Sequence, residues 1–367
     1  MTSSTSQPLS EIRIVDLSLA LPGPYATFLL SELGATVTRV VPPSGDPALE
    51  YLPMLRWINA GKSVRELDLK RGHDRAELLD MVGSADVFVE GFRPGVVNRL
   101  GVDHLSLAAV NRGLVYCSLS GFGQTGPYRH VPGHDINYQS LAGVPHLTSA
   151  FGEPVNGARP EASIADLAMS TFTVIAVLAA LQERTRSGVG SYVDLAAADA
   201  TVSLLGPYIT SLAAGSPIAR PIPHYGTFQA RDGKWLSLGG LFEQQFWVNE
   251  VTAFDLPAHW AHYTLTERQR ESVIIRGAIA ERIRSRDRDD WVHQLIGLNV
   301  PAMTVLDPVE VISGSYFRDR GVVGERDDEP YVSLPFRLNA IDAPDEPSTR
   351  ATQTRIEDEA TTTRGDT

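Results

Sequence analysis

Ile12-Arg13-Ile14-Val15-Asp16-Leu17, then Pro24 to Leu33 closed by Gly34, then Thr36 to Val41, reads as strand, helix, strand. Pro24 stands near the helix start, where its missing N–H costs nothing, and Gly34 stands just past the end. The alternation continues with strand-like runs at Ser63 to Leu69, Asp86 to Val89 and Leu114 to Leu119, and with helical patterns such as Arg75 to Val82 between most of them. Strands joined through helices must run mostly parallel, and a parallel sheet has to be covered on both faces. The expected fold class is therefore α/β, doubly wound.

Further along, Asp166 to Arg184 is expected as one long helix with Asp166 as its N-cap. A second helix is expected over Val193 to Leu205, after the turn Ser187-Gly188-Val189-Gly190. Gly206 to Pro223, interrupted by Gly and Pro, reads as a connector. Gly226 to Ala230 and Lys234 to Leu238 flank Arg231-Asp232-Gly233, whose Asp-Gly signals a tight hairpin. Thr266 to Gly297 is helical and rich in charge. The expected organisation is a disordered N-terminus over 1–10, a large domain over 11–205, a connector over 206–224 and a small domain over 225–311. Residues 312–341 then return to the large domain, and 342–367, poor in apolar residues, form a disordered tail.

Composition narrows the function. With 367 residues, 43% hydrophobic and 21% charged, the chain is that of a soluble globular protein. A net charge of −12 leaves no basic stripe to neutralise phosphates, so nucleic acid is excluded as a main partner. The lone Cys117 permits no intrachain disulfide and no cysteine-based metal site, and it reads as a buried residue in a reducing cytoplasm. Met1 to Pro8 is polar and reads as no secretory leader. Leu167 to Leu181 reads as a core helix too short for about 30 Å of hydrocarbon, so no membrane partner is expected. Ala20-Leu21-Pro22-Gly23-Pro24 lacks the later glycines of a dinucleotide fingerprint, and no phosphate loop occurs. No metal is expected, because no His/Cys/Asp cluster has ligand spacing.

The chemistry-bearing stretch is Gly133-His134-Asp135-Ile136-Asn137-Tyr138, followed by Ala165-Asp166 opening the long helix. A neutral imidazole and a carboxyl group can shuttle a proton between two faces of one carbon. The backbone N–H of Asp135, or the donors that open the Asp166 helix, would hold the enolate oxygen that such chemistry generates.

With Pro22-Gly23-Pro24, Asp68-Leu69-Lys70, Glu90-Gly91-Phe92-Arg93-Pro94-Gly95-Val96, Arg99-Leu100-Gly101 and Gly121-Phe122-Gly123-Gln124-Thr125-Gly126-Pro127 in order, the chain resembles the class III CoA-transferase (CaiB/BaiF, carnitine dehydratase-like) superfamily. Within it the likeness is to the α-methylacyl-CoA racemases. The resemblance implies a Rossmann-like large domain plus a smaller α+β domain in an intertwined homodimer. It implies an acyl-CoA thioester as substrate and no further cofactor. Carried over by position, His134 and Asp166 match the two racemase bases, and Glu243 matches a glutamate that orients the histidine. For CoA binding the resemblance points to Leu67, Asp68, Leu69, Lys70, Gly91, Phe92, Arg93 and Arg99, and to the backbone of Gly133, Asp135, Ile136, Asn137 and Tyr138.

In the transferase branch the residue matching Asp166 is a nucleophile, and the position of His134 is usually another residue. His134 with Glu243 thus favours racemisation at the carbon next to the thioester. Transfer of CoA between carboxylic acids is the alternative, and a CoA-thioester-binding relative without catalysis is a third. Two departures bear on the site. Racemases carry an acidic residue and an arginine after the second strand, where this chain has Val41-Pro42 with Arg39 earlier. Leu167-Ala168-Met169-Ser170 follows Asp166 where glycines are usual, and Leu167 and Met169 are expected to narrow the acyl end of the cavity.

Overall fold

Six strands form the central sheet in the order β3-β2-β1-β4-β5-β6: β1 Arg13–Asp16, β2 Thr36–Val41, β3 Ser63–Glu66, β4 Val87–Glu90, β5 Val115–Ser120 and β6 Tyr192–Ala196. Every neighbouring pair is parallel. These elements belong to a computed structural model that describes residues 7–46, 49, 54–148, 162–215, 221–326 and 329–338. Growth of the sheet reverses direction between β1 and β4, the Rossmann order, so a crevice opens beyond the carboxyl ends of those two strands.

Alternate side chains along each strand enter opposite cores. Ile14, Val87, Val89, Val115 and Cys117 pack with Ala168, Met169 and Val177 of the Ile164–Ser187 helix. Val15, Phe88 and Tyr116 pack on the other face with Leu78 and Val82 of the Gly72–Gly83 helix and with Leu107. Both faces are therefore dry, which is why these strands read as continuous apolar runs.

Several expectations are corrected. Val193 to Leu205 is not one helix. Tyr192–Ala196 is the sixth strand, with Val193 and Leu195 turned onto the core, and a helix begins only at Ala197 and ends at Leu204. The connector contains a helix, Gly206–Ala213, while residues 216–220 lie outside the described residues. Gln7 to Ser10, expected disordered, is held in place: Leu9 is buried and its N–H donates to the Leu33 carbonyl at 3.0 Å. Residues 1–6 and 342–367, expected disordered, and 339–341, expected to return to the large domain, lie outside the described residues. The long helix has 24 residues rather than the shorter run expected, and by length and composition it is long enough to cross a membrane. One of its faces is nonetheless committed to the sheet core, and Arg184 near its end pairs with Asp86 at 2.8 Å.

A second, antiparallel sheet runs β7-β8-β9 (Tyr225–Gln229, Trp235–Gly239, Ala302–Val305), with Gly233 at φ +78° closing the hairpin. Thr266 to Gly297 resolves into three helices, Leu265–Arg270, Ser272–Ile283 and Arg288–Gly297. They gather with the sheet around Leu236, Trp247, Ile275, Ile279 and Leu295. A last hairpin, β10 Val323–Arg326 with β11 Glu329–Val332, lays Tyr331 among Leu21, Phe28, Leu55 and Ile58, and Arg326 pairs with Glu32 at 3.0 Å.

Candidate active site

The crevice predicted by the strand order is present. Leu17 and Leu19 after β1, Val40 to Pro42 at the end of β2, Leu67 to Lys70 after β3, and Phe92 and Leu100 after β4 line a cavity of about 180 Å³. Five of the proposed CoA-contacting residues, Leu67, Asp68, Leu69, Lys70 and Phe92, thus meet in one place. The loop after β3 is stiffened from within: Asp74 accepts from the Asp68 N–H at 2.8 Å, and Asp68 accepts from the Lys70 N–H at 3.1 Å. Lys70, Gly91, Arg93 and Arg99 are exposed around it. Arg39, the cation nearest the missing nucleotide contact, is turned inward instead, buried and paired with Asp46 at 3.0 Å. It is unable to reach a ligand in the crevice.

The second centre lies where the Asp135–Leu141 helix meets the first turn of the Ile164–Ser187 helix. His134 is the exposed residue ahead of the shorter helix, its N–H donating to the Asn137 side chain at 3.0 Å. Tyr138 donates its hydroxyl to the Gly133 carbonyl at 2.5 Å and sets its ring edge-on to Phe122, centroids 5.1 Å apart. A Cβ on Gly133 would lie 2.8 Å from that ring and one on Gly121 2.5 Å, so both glycines are required by close approach. Burial first, then the charges of Asp166 and Asp135, push the Tyr138 hydroxyl above the usual range, with the Arg93 charge opposing. Phe92 lines the crevice and its neighbour Arg93 acts electrostatically on Tyr138, so the two centres adjoin at this turn.

Asp166 is not the cap of its helix. It is the third helical residue after Ser163, and the side-chain oxygen that caps the helix comes from Asp135, which accepts from the N–H groups of Ala165 at 2.8 Å and Asp166 at 3.1 Å. The Ile164 and Leu167 N–H groups are also taken, by the Ala162 and Ser163 carbonyls. The first-turn donors expected to hold an enolate oxygen are therefore occupied, which leaves the Asp135 N–H of the two sets considered. Burial first, then the Asp135 charge, push the Asp166 carboxyl up to about 7.

Of the residues expected to shape the acyl end, one is placed elsewhere. Met169 is buried in the sheet core rather than facing an acyl cavity, and only Leu167 stays half-buried. Glu243 precedes the Gln244–Ala253 helix, accepts from the Leu241 N–H at 3.2 Å and acts electrostatically on Arg268. Within one chain its contacts are with these neighbours, and its expected contact with His134 is one that a partner protomer would have to supply.

The sequence reading passed over three buried polar groups. Glu90 accepts from the Ser118 hydroxyl and from the Phe92 N–H at 2.8 Å, and burial pushes its carboxyl up to about 7. Lys62 donates to the Pro24 carbonyl at 2.6 Å and to Thr27 at 2.9 Å, 4.0 Å from buried Asp16, and burial pushes its ammonium down to about 8. His224 is fully buried, 2.9 Å from Glu250.

The model of CoA-transferase family III matches residues 9–351. Among similar proteins, acetyl-CoA:oxalate CoA-transferase of Acetobacter aceti is 28% identical over 360 residues, covering 92% of this chain and 91% of that protein. Succinyl-CoA:mesaconate CoA-transferase of Haloarcula marismortui is 31% identical over 345 residues, covering 87% and 85%. The crystal structure of a CaiB/BaiF family protein from Brucella suis matches with a TM-score of 0.82 at 28% identity, covering 91% of this chain and 93% of that one. The two sequence relatives are named for CoA transfer, not for the racemisation that His134 and Glu243 favoured.

Proposed function

The chain belongs to CoA-transferase family III, and from that premise we propose that it moves CoA between two carboxylic acids with Asp166 as nucleophile. The observation that carries this is the half-buried Asp166 carboxylate held beside Asp135 with its proton affinity raised to about 7. Such a carboxylate is more basic than an ordinary one, hence a better nucleophile, and is still about half ionised at neutral pH. Its oxygen attacks the thioester carbonyl, forming an acyl–aspartyl anhydride and expelling CoA thiolate. The thiolate returns to the Asp166 carbonyl, forming an aspartyl thioester and releasing the first carboxylate. A second carboxylate repeats the two steps in reverse order of bonds and leaves as the new thioester, with Asp166 restored.

CoA would enter by the crevice lined by Leu67 to Lys70 and Phe92, with Lys70, Arg93 and Arg99 as the cations for its phosphates. Buried Arg39 takes no part. We place the reaction in the cytoplasm, and in a homodimer. Support for the dimer is an exposed apolar stripe on the long helix, including Ile164, Ile175 and Leu178, continued by Val202, Leu204 and Tyr208. Contact of Glu243 with His134 would then come from the other protomer.

Racemisation is the second reading. His134 stands next to the carboxylate that holds the Asp166 turn, and an Asp166 carboxyl near 7 can keep a proton to deliver at neutral pH. Hydroxylamine added with an acyl-CoA donor separates the two. Transfer predicts an acyl or hydroxamate label confined to the Asp166 peptide, dependent on Asp166 and chased by added carboxylate. Asp166→Ala should abolish the label while leaving CoA affinity within a few-fold. Racemisation predicts α-deuterium with loss of stereopurity in deuterated water and no label. Deuterium without label would replace the first reading by the second.

A further inference from the structure

Asp135 reaches across thirty positions of sequence to the turn that carries Asp166. One oxygen accepts from two consecutive N–H groups, those of Ala165 and Asp166. The other accepts from the amide of Gln139, one turn along its own helix and 1% exposed, and that amide also approaches the Ala162 carbonyl at 3.4 Å. Both oxygens are thus committed, and the carboxylate is clamped between two helices. Ser163, the residue in the N-cap position, makes no side-chain cap of its own. The anion at the helix start gains from the helix dipole there.

We propose that Asp135 is a positioning residue for Asp166, fixing the backbone of the reacting turn through its carboxylate and supplying the negative charge beside the nucleophile. The proposal rests on the reading of Asp166 as the reacting group. Asp135 is the charged neighbour that acts on the Asp166 carboxyl in addition to burial. The other groups facing this turn act elsewhere. Tyr138 feels both carboxylates and Arg93, Asp199 of the Ala197–Leu204 helix acts on Asp194, and Tyr25 of the Pro22–Glu32 helix responds to burial. Cys117 on β5 responds to burial and Glu90. His134, next in sequence to Asp135, is exposed.

Two substitutions in the full-length protein divide the two effects. Asparagine keeps an acceptor for the Ala165 and Asp166 N–H groups and removes the charge, and Gln139 can turn its amide to meet the new NH₂. Alanine removes both. Asp135→Ala should lower kcat roughly ten- to hundredfold with KM for the CoA thioester within a few-fold, the signature of an interaction used in the reacting step. Asp135→Asn should recover most of kcat at high pH and move the acidic limb of the kcat profile to lower pH, because the like charge is gone. The Asp166 carboxyl resonance in ¹³C-labelled protein, assigned by its loss in Asp166→Asn, should titrate at lower pH in Asp135→Asn. That readout needs no turnover and survives an unfolded Asp135→Ala. An unmoved Asp166 midpoint in Asp135→Asn, or an Asp135→Ala enzyme with wild-type kcat, would overturn the proposal. If Asp166→Asn retains full transfer while the midpoint still moves, the proposed reaction fails and the clamp stands.

Discussion

At the scale of single residues, the raised proton affinity of Asp166 has a consequence for stability with a definite sign. Its folded value is about 7 against an ordinary 3.8. Between these values the folded chain holds a proton that the unfolded chain has released, so the site's contribution is present at low pH and lost as pH rises through about 7. An asparagine at this position never charges. The stability of Asp166→Asn relative to wild type should therefore grow from pH 4 to pH 8 and be flat above that. The gain should be about 2 kcal/mol, below the full linkage value because the carboxyl keeps some contact with water. Urea unfolding at a series of pH values measures it. Glu90 carries a similar upward shift, but it is common to both proteins and cancels in the difference. Equal differences at pH 4 and pH 8 would mean an ordinary carboxyl at Asp166 and would remove the basis for a basic nucleophile.

At the scale of elements, the sheet was legible wherever apolar strands alternated with amphipathic helices, because burial on both faces leaves a continuous Val/Ile/Leu signal. It failed at β6. Tyr192–Ala196 runs into the alanine-rich Ala197–Leu204 helix without a Gly or Pro between them, so composition hid the boundary. The glycine that admits β6 lies before it. A Cβ on Gly190 would fall 1.9 Å from the Leu114 carbonyl oxygen, a backbone atom that has little freedom to move away. Gly190→Ala should cost about 3 kcal/mol by forcing β6 away from β5, and should raise hydrogen exchange at Val193 and Leu195 above that at β1. A wild-type urea midpoint for this variant would contradict the packing. The site was legible to the extent that its residues sit in contiguous motifs, as Leu67 to Lys70 and Gly133 to Tyr138 do. Asp135 as a clamp was not legible, since the partners that join it to the Asp166 turn are backbone groups thirty residues away and leave no side-chain pattern. Nor was the Glu90–Ser118 contact, which joins residues opposed in the parallel register of β4 and β5 and appears only once that register is known.

At the scale of the whole molecule, the unresolved demand is the apolar surface. Ile175 is 54% exposed and Val202 41%, although they lie on helices whose other faces are packed into the chain, and Tyr208, 63% exposed, lies on a helix with no buried residue. At about 25 cal/mol per Å², covering a stripe of this kind is strongly favourable, while a charge of −12 on each copy opposes association only within a Debye length of about 8 Å at physiological salt. Burial should win, and in an intertwined dimer separation would require unfolding. Light scattering should show a dimer that persists on dilution from micromolar to nanomolar chain and is insensitive to salt. Replacing Ile175 and Leu178 together by glutamate places two like charges in the covered stripe and should yield a monomer or an unfolded chain, with transfer activity lost in either case if Glu243 serves the other protomer's site. A dilute wild-type monomer with full activity would show that the stripe is not an interface between copies and that one chain carries the complete site.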